Sequence, residues 1–257
     1  MSLSYFEDIT IIMKIYRNIP IIYEDNHIIV VNKPAGILSQ KDFTNAESML
    51  EIIKEYIKAT YQKPGNVFLG LVHRLDKQVS GIMVYAKTSK AASRLSAQLR
   101  TRDVIKIYCA AVKTPTNTDT AWHTIHNTIT RKHDKTLVNN NDLHAMHASL
   151  RYKIVYTEPT YSLAMIQLYT GKKHQIRAQL SHLGMPIAND TKYGAPVIAH
   201  HDDIALHAAY LQFVHPTTKK TLAFYQPPDG IFTYIFQHVD INTTMQQALL
   251  SEGFTII

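Results

Sequence analysis

A carboxylate between two cations is the feature of this sequence best suited to chemistry. Residues 72–81 read VHRLDKQVSG, so Asp76 lies two positions after Arg74 and next to Lys77. Nearby cations hold a carboxylate in its ionised form. An ionised, positioned aspartate can attack an electrophilic carbon such as the C1′ atom of a ribose. An isolated Arg-x-Asp is more often a surface ion pair, so the interpretation of Asp76 depends on the rest of the chain.

Five further segments give Asp76 a context. They are NKPAG at 32–36, KIYCA at 106–110, TGKKHQIR at 170–177, GMPI with Asp190 and Tyr193-Gly194 at 184–194, and LHA with Phe213 and His215-Pro216 at 206–216. Together with HRLD and the Ser-Gly that follows it, they resemble the RluA-type pseudouridine synthases in both composition and order. The resemblance covers residues 20–228.

The resemblance implies both a reaction and a set of catalytic residues. Members of this family isomerise uridine in RNA by detaching the uracil from C1′, rotating it and rejoining it through C5, with no metal and no other cofactor. Asp76 would be the essential carboxylate. Tyr108 would stack on the uracil and serve as general base, and Arg177 would pair with Asp76. Taken alone, Tyr108 also fits a core strand residue and Arg177 a solvated helix residue.

The same resemblance implies a substrate-binding set. Because the target atoms are shielded in a stacked strand, the nucleotide must be flipped out. Arg74 would then enter the stack through its planar guanidinium. The other expected substrate contacts are His73, Lys33, Lys172, His174 and Gln175. We further expect Arg177→Met to reduce turnover sharply while leaving the fold intact.

Three positions depart from the family pattern. Val79 replaces a common Thr, Lys172 replaces an Arg and loses its bidentate fork, and Asn189 replaces a Gly. Asn and Gly both tolerate a left-handed backbone. None of these changes removes a catalytic group, so activity is expected.

The hydrophobic periodicity predicts an α+β fold. The resemblance implies the pseudouridine synthase catalytic fold, with a central mixed, mostly antiparallel sheet flanked by helices and loops. Strands are predicted at 27–32, 81–87, 106–112, 150–156 and 162–169. Helices are predicted at 49–61 after a Thr44–Glu47 capping box, at 89–100 capped by Ser89, and at 174–183. The expected organisation is an N-terminal extension (1–19), a catalytic domain (20–230) and a C-terminal extension that packs on it (231–257).

Composition indicates the partner and the compartment. Lys and Arg total 27 against 20 acidic residues, a net charge of +7 that attracts polyanions such as RNA. A single Cys109 excludes an internal disulfide framework, and no apolar run is long enough to span a membrane. We therefore expect a cytoplasmic monomer that acts on tRNA or rRNA without membrane or protein partners. Fewer than 20 residues precede the matched region, so an S4 RNA-binding domain is not expected. This favours tRNA or a compact stem-loop as substrate.

The histidine-rich regions carry weaker signals. The His pairs 123/126 and 144/147 and the run at 200–203 lack a matching zinc-ligand pair, so no metal site is predicted. The polar region 114–147, including Asn139–Asn141, reads as a loop that touches RNA or as a solvated insertion. Trp122 within it could be a stacking platform or packing. His207 and His215 are expected to be structural.

Two other functions remain open from the sequence. The first is an RNA-binding protein or chaperone that keeps the fold without the reaction, against which the presence of Asp76, Tyr108 and Arg177 argues. The second is an enzyme acting on a free nucleoside or nucleotide. The +7 charge and Arg74 argue instead for a polymeric substrate.

Overall fold

One twelve-stranded sheet organises the part of the chain that the computed structural model describes, residues 14–116, 118–139, 142 and 145–256. Its strands are β1 (Lys14–Tyr16), β2 (Ile19–Glu24), β3 (Ile28–Lys33), β4 (Gly70–Leu71), β5 (Ser80–Ala86), β6 (Ile105–Lys113), β7 (His123–Lys132), β8 (Lys135–Val138), β9 (Met146–Thr157), β10 (Tyr161–Leu168), β11 (Leu206–Val214) and β12 (Thr221–Tyr225). Their order is β1-β2-β3-β5-β11-β6-β10-β9-β7-β8, with β12 on β11 and β4 on β5.

The mixed, mostly antiparallel sheet predicted from the sequence is confirmed. Among the described strands only β5 and β11 pair in parallel, through Ser80 with His207 and Gly81 with Ala208. Gly81 has a φ of +123°, and a Cβ there would lie 2.4 Å from the backbone N and O of Ala208. Glycine is therefore required for this close approach. The pairing fixes the start of β5, directly after the segment that carries Asp76.

The helices cover both faces of the sheet. They are α1 (Met49–Thr60), α2 (Ser89–Thr101), α3 (Gln175–His182), α4 (Ile231–Ile235) and α5 (Ile241–Ser251), with a 3₁₀ turn at Thr191–Tyr193. Side chains of α1, α3 and α5 join one hydrophobic core, and those of α2 join a second. In β3, Ile29 and Val31 face the first core while Ile28 and Val30 face the second. This two-sided burial explains the uninterrupted apolar run of that strand.

Both predicted helix caps were placed wrongly. The N-cap of α1 is Ser48, because Thr44 is held upstream by Asp42, whose Oδ1 accepts from the Thr44 backbone N at 2.9 Å. The N-cap of α2 is Thr88, whose hydroxyl accepts from the backbone N of Ala91 at 3.1 Å. The helices themselves are confirmed within a few residues of the predicted ends.

The polar region predicted as a loop is largely a β-hairpin, so that prediction is wrong for most of its length. β7 and β8 pair with each other, and β7 extends the sheet along β9. Ile125 and Ile129 are buried beneath the polar residues of β7, which explains how so polar a segment becomes a strand. Asn140, Asn141 and His144, which belong to the predicted loop and His pair, lie outside the described residues.

The C-terminal helix packs against the sheet. Ile241, Met245 and Leu249 of α5 are buried in the first core. Just after this helix, Glu252 accepts a hydrogen bond from Trp122 Nε1 at 2.7 Å, and the guanidinium of Arg151 lies 4.1 Å from the indole ring centre. The indole of Trp122 is therefore packed against the charged side chains of Glu252 and Arg151. Residues 1–13 of the predicted N-terminal extension lie outside the described residues. No described helix combines the length and apolar character needed to cross a bilayer.

Candidate active site

A cleft of about 960 Å³ opens where the β4–β5 connection meets β6 and the start of α3. It is lined by the three predicted catalytic residues, Asp76, Tyr108 and Arg177, which are far apart in sequence. Nine of its lining residues are Lys or Arg and two are Asp, so the cleft is strongly basic. Such a cleft attracts a phosphate backbone.

The segment carrying Asp76 is held by the NKPAG turn and by Ser39, three residues after that turn. Ser39 Oγ donates to the Leu75 carbonyl at 2.7 Å and accepts from the Leu75 N at 3.0 Å. The Gly36 N donates to the Lys77 carbonyl at 2.8 Å. These contacts bracket Asp76 on both sides, so its backbone is fixed while its carboxylate remains 27% exposed to the cleft.

Arg177 forms hydrogen bonds with two carboxylates, those of Asp76 and Asp190. Its Nη1 donates to Asp76 Oδ2 at 3.3 Å, and its Nε and Nη2 donate to the two carboxylate oxygens of Asp190 at 2.7 and 2.8 Å. Burial opposes the guanidinium charge, but the hydrogen bonds and charge of Asp190, together with Asp76, raise the pKa of Arg177. With only 3% of its side chain exposed, Arg177 is a fixed buried cation and not a solvated helix residue.

Tyr108 lies buried on β6 beside this pair. Burial, reinforced by the negative charge of Asp76, raises the pKa of the Tyr108 phenol well above its ordinary value. The side chain therefore stays a neutral phenol near pH 7. Its ring lines the cleft and offers a stacking surface, and a neutral phenol is a poor proton acceptor. Stacking and general-base catalysis by Tyr108 both stay predictions.

The comparisons with known proteins decide the family. The sequence profile of the RNA pseudouridylate synthase family matches residues 27–182. The chain is 34% identical over 226 residues to the ribosomal large subunit pseudouridine synthase D of Vibrio cholerae, covering 82% of this chain and 68% of that protein. This chain belongs to the RNA pseudouridylate synthase family. It is therefore an isomerase that converts uridine in RNA to pseudouridine.

Two further comparisons agree with this family assignment. The chain is 29% identical to the ribosomal large subunit pseudouridine synthase C of Buchnera aphidicola, covering 88% of this chain and 72% of that protein. The solved structure of human RNA pseudouridylate synthase domain containing 4 matches with a TM-score of 0.70, at 24% identity, over 84% of this chain and 91% of that one. At that identity the structural match shows the fold alone.

His174, expected to contact substrate, stands at the back of the synthase cleft. It adopts a left-handed backbone with a φ of 53°, and its Nδ1 lies 3.0 Å from the hydroxyl of Tyr193. Its Nε2 lies 3.7 Å from Asp76 Oδ2. Burial lowers the pKa of His174 to about 4, although the charge of Asp76 opposes the shift. The imidazole is therefore neutral near pH 7 and presents a ring nitrogen to the carboxylate without a counter-charge.

The other expected substrate contacts divide into two groups. Arg74 and Lys172 are exposed on the cleft wall, where RNA can reach them. His73 and Gln175 also line the cleft, but the protein engages Nε2 of His73 and both amide atoms of Gln175. His73 Nε2 accepts from the Val84 N at 3.1 Å. Gln175 Oε1 accepts from Thr170 and Lys172, and its Nε2 donates to the Ser149 carbonyl. These two side chains hold the walls of the cleft.

Lys33 does not line the cleft. Its buried ammonium donates to the carbonyls of Pro34 and Ile37 at 2.8 Å and to that of Lys77 at 3.2 Å. Burial lowers the pKa of Lys33 to about 7, with Asp76 opposing the shift. All three donors of the ammonium are used to tie the NKPAG turn to the residue after Asp76. The geometry therefore supports a positioning role for Lys33 in place of the expected substrate contact.

Asp190 and Tyr193 are site residues that sequence reasoning did not single out. Asp190 anchors Arg177, and Tyr193 accepts from the Thr136 backbone N at 2.9 Å and packs its ring 5.0 Å from the Arg177 guanidinium. Both lie in the matched segment 184–194, which was the available signal. Ser39, which holds Leu75, carries no signal of its own in the sequence.

The remaining family positions behave as structural residues. Asn189 adopts the expected left-handed backbone, with a φ of 63°. Its side chain also bonds the 198–203 loop through Ile198 N, His201 O and Asp203 O, contacts that a glycine could not make. His207 bridges Ser80 and the Gln226 carbonyl, and His215 binds Asp25 at 2.8 Å.

Proposed function

We propose that this chain isomerises one or more uridines of large ribosomal subunit RNA, using Asp76 as the catalytic carboxylate. The observation that carries this proposal is the Asp76 carboxylate itself, open to a basic cleft and paired at 3.3 Å with a buried arginine. The ribosomal substrate is supported by the printed names of the Vibrio cholerae and Buchnera aphidicola relatives. Those names outweigh the preference for tRNA, which rested only on an expected missing domain.

Arg74 supports the step that brings the nucleotide into the cleft. It lies exposed, two residues before Asp76, where a flipped nucleotide would enter. In the proposed mechanism its planar guanidinium fills the gap left in the base stack. The flipped uracil then lies against the ring of Tyr108, with C1′ facing Asp76.

The exchange at C1′ needs only groups that this chain supplies. An Asp76 oxygen bonds to C1′ as the C1′–N1 bond breaks, and the uracil leaves with that electron pair. The uracil rotates, C5 bonds to C1′ and the C1′–Asp76 bond breaks, which regenerates the carboxylate. The C5 proton then passes to water and N1 takes a proton from water, so atoms and charges balance. Arg177 keeps Asp76 ionised at the start and end of this cycle.

We also propose that one chain is sufficient for activity. Asp76, Tyr108 and Arg177 all come from the same chain and line one cleft. A monomer without a protein partner would therefore hold a complete site.

Mapping of pseudouridine tests the proposed substrate. The wild-type chain and Asp76→Ala are incubated with ribosomal RNA and with tRNA that lack the modification, followed by carbodiimide labelling and primer extension. We expect wild-type-specific stops in large-subunit RNA and none with Asp76→Ala. Stops confined to tRNA would overturn the ribosomal assignment. Stops in neither pool would favour an RNA-binding protein without the reaction.

A further inference from the structure

Lys106 is a cation of the cleft that the mechanism above does not use. It lies on β6 two residues before Tyr108, so the two side chains project from the same face of the strand toward the cleft. Four other cations of the cleft also lack a hydrogen-bonded or ion-paired partner in the described part of the chain. All four are exposed: Arg74, Lys77, Lys172 and Lys173. Lys106 differs because it is half-buried.

The Lys106 ammonium has no hydrogen-bond or ion-pair partner among residues 14–116, 118–139, 142 and 145–256. It lies beside the loop before α3, where a Cβ added to Gly171 would stand 3.5 Å from Lys106 Nζ. Burial lowers the pKa of Lys106, as expected for an ammonium withdrawn from water without a counter-charge. Burial, with a smaller contribution from Lys106, lowers the pKa of the neighbouring His73, whose imidazole stays neutral and offers no negative charge.

An unpaired half-buried cation is costly to a fold unless a ligand supplies the missing charge. Asp76 is the carboxylate nearest the chemistry, but it is bound by Arg177. Since the substrate of this cleft is RNA, the anion at hand is a phosphate. We infer that Lys106 binds a backbone phosphate of the RNA strand whose uridine stacks on Tyr108. This inference deepens the proposed function and rests on it for the identity of the RNA and for the position of the flipped uridine.

The salt dependence of binding distinguishes a phosphate contact from other contacts. Each phosphate neutralised adds about 0.7–0.9 to the slope of log affinity against log salt. Binding is measured from low to moderate KCl in an Asp76→Ala background, so that no turnover occurs. The two probes are a large-subunit RNA transcript and a single-stranded oligouridine. Lys106→Gln should lower the slope by about one on both probes, and Lys106→Arg should restore it.

Lys90→Gln is the matched control, because it removes the same charge from the exposed start of α2, outside the cleft. It should leave the slope unchanged. Lys106→Met should melt at the same temperature as the parent or a higher one, since it removes an unpaired, partly desolvated charge. A lower melting temperature would show that Lys106 supports the fold, and would overturn the inference.

Two results separate this inference from the proposed function. A Lys106→Gln slope equal to that of the parent on both probes would overturn the phosphate contact, even if affinity fell through another route. If the slope falls on both probes while the ribosomal transcript binds no better than an unrelated transcript, Lys106 binds phosphate as inferred and the ribosomal assignment fails.

Discussion

Arg177 is bound more closely by Asp190 than by Asp76. Two short hydrogen bonds, of 2.7 and 2.8 Å, join its guanidinium to Asp190, and a single longer one of 3.3 Å reaches Asp76. Asp190 is almost fully buried, whereas Asp76 is open to the cleft. Asp190 thus anchors the arginine, and the remaining donor is directed at Asp76, the proposed catalytic carboxylate.

Removal of Arg177 should therefore harm the fold as well as the reaction. Arg177→Met leaves Asp190 buried without its partner, which costs about 3–5 kcal/mol of unfolding free energy. The sequence analysis predicted that this variant keeps its fold intact. The buried pair predicts instead that it loses stability. Urea unfolding of Arg177→Met and of the parent measures the loss.

A double variant separates the two roles of Arg177. Arg177→Met with Asp190→Leu removes both buried charges, so most of the lost stability should return. Single-turnover rates should nevertheless stay at least about 100-fold below those of the parent, because the donor to Asp76 is still missing. A double variant that recovered both stability and rate would remove Arg177 from the chemistry.

Tyr108 should contribute chiefly through its ring. Because burial and Asp76 keep its phenol protonated, Tyr108→Phe retains the stacking surface while Tyr108→Leu loses it. We expect the single-turnover rate to fall at least about 100-fold for Leu and clearly less for Phe. Equal loss in both variants would mean that the hydroxyl is the essential part of this side chain.

His73 should make the fold sensitive to acid. Its pKa falls to about 3 in the folded chain through burial and through Lys106, against about 6.5 when unfolded. Between these values the unfolded chain binds a proton that the folded chain does not. Stability therefore declines as pH falls from about 6.5 toward 3.

Replacement of His73 tests this dependence. His73→Gln keeps an acceptor for the Val84 amide but cannot titrate, so the slope of unfolding free energy against pH between 4 and 6 should decrease by up to about 1.4 kcal/mol per unit. His238→Gln, at an exposed position, serves as the control. An unchanged slope in His73→Gln would contradict the burial of a neutral imidazole at this position.

Gly81 should tolerate no side chain. An alanine Cβ would lie 2.4 Å from the backbone of Ala208, so Gly81→Ala must separate β5 from β11 and should cost about 3 kcal/mol or more. Gly65→Ala also has a positive φ, of 78°, but meets no atom within 4 Å and should cost only about 1 kcal/mol. Thermal melts of both variants measure the difference, and equal losses would show that the close approach is not tight.

The sequence predicted five of the twelve described strands and three residues that line the cleft, Asp76, Tyr108 and Arg177, because apolar periodicity and ordered motifs are local properties. It missed the β7–β8 hairpin. In β7 only Ile125 and Ile129 are buried, so the strand has too few apolar residues to show an alternating pattern in the sequence. It also did not distinguish the motif residues that line the cleft from those that hold the surrounding loops in place. Lys33 reads as a free cation in sequence, and only the fold brings the Pro34, Ile37 and Lys77 carbonyls to its ammonium.

The pairing of Asp190 with Arg177 was equally out of reach. The two residues are 13 positions apart, on α3 and in the turn that follows it, and their burial depends on how that turn folds back. Charge counting along the chain does not distinguish such a buried pair from two solvated residues. The motif marked Asp190 as part of the family pattern, but its contact required the three-dimensional arrangement.

Release of tritium from C5 tests the role of Asp76 most directly. Isomerisation must replace the C5 hydrogen of the target uridine, so RNA carrying [5-³H]uridine releases its label only as the reaction proceeds. We expect release by the wild-type chain and none by Asp76→Ala, with both binding the RNA equally well. Release by Asp76→Ala at the wild-type rate would contradict an Asp76-dependent exchange at C1′.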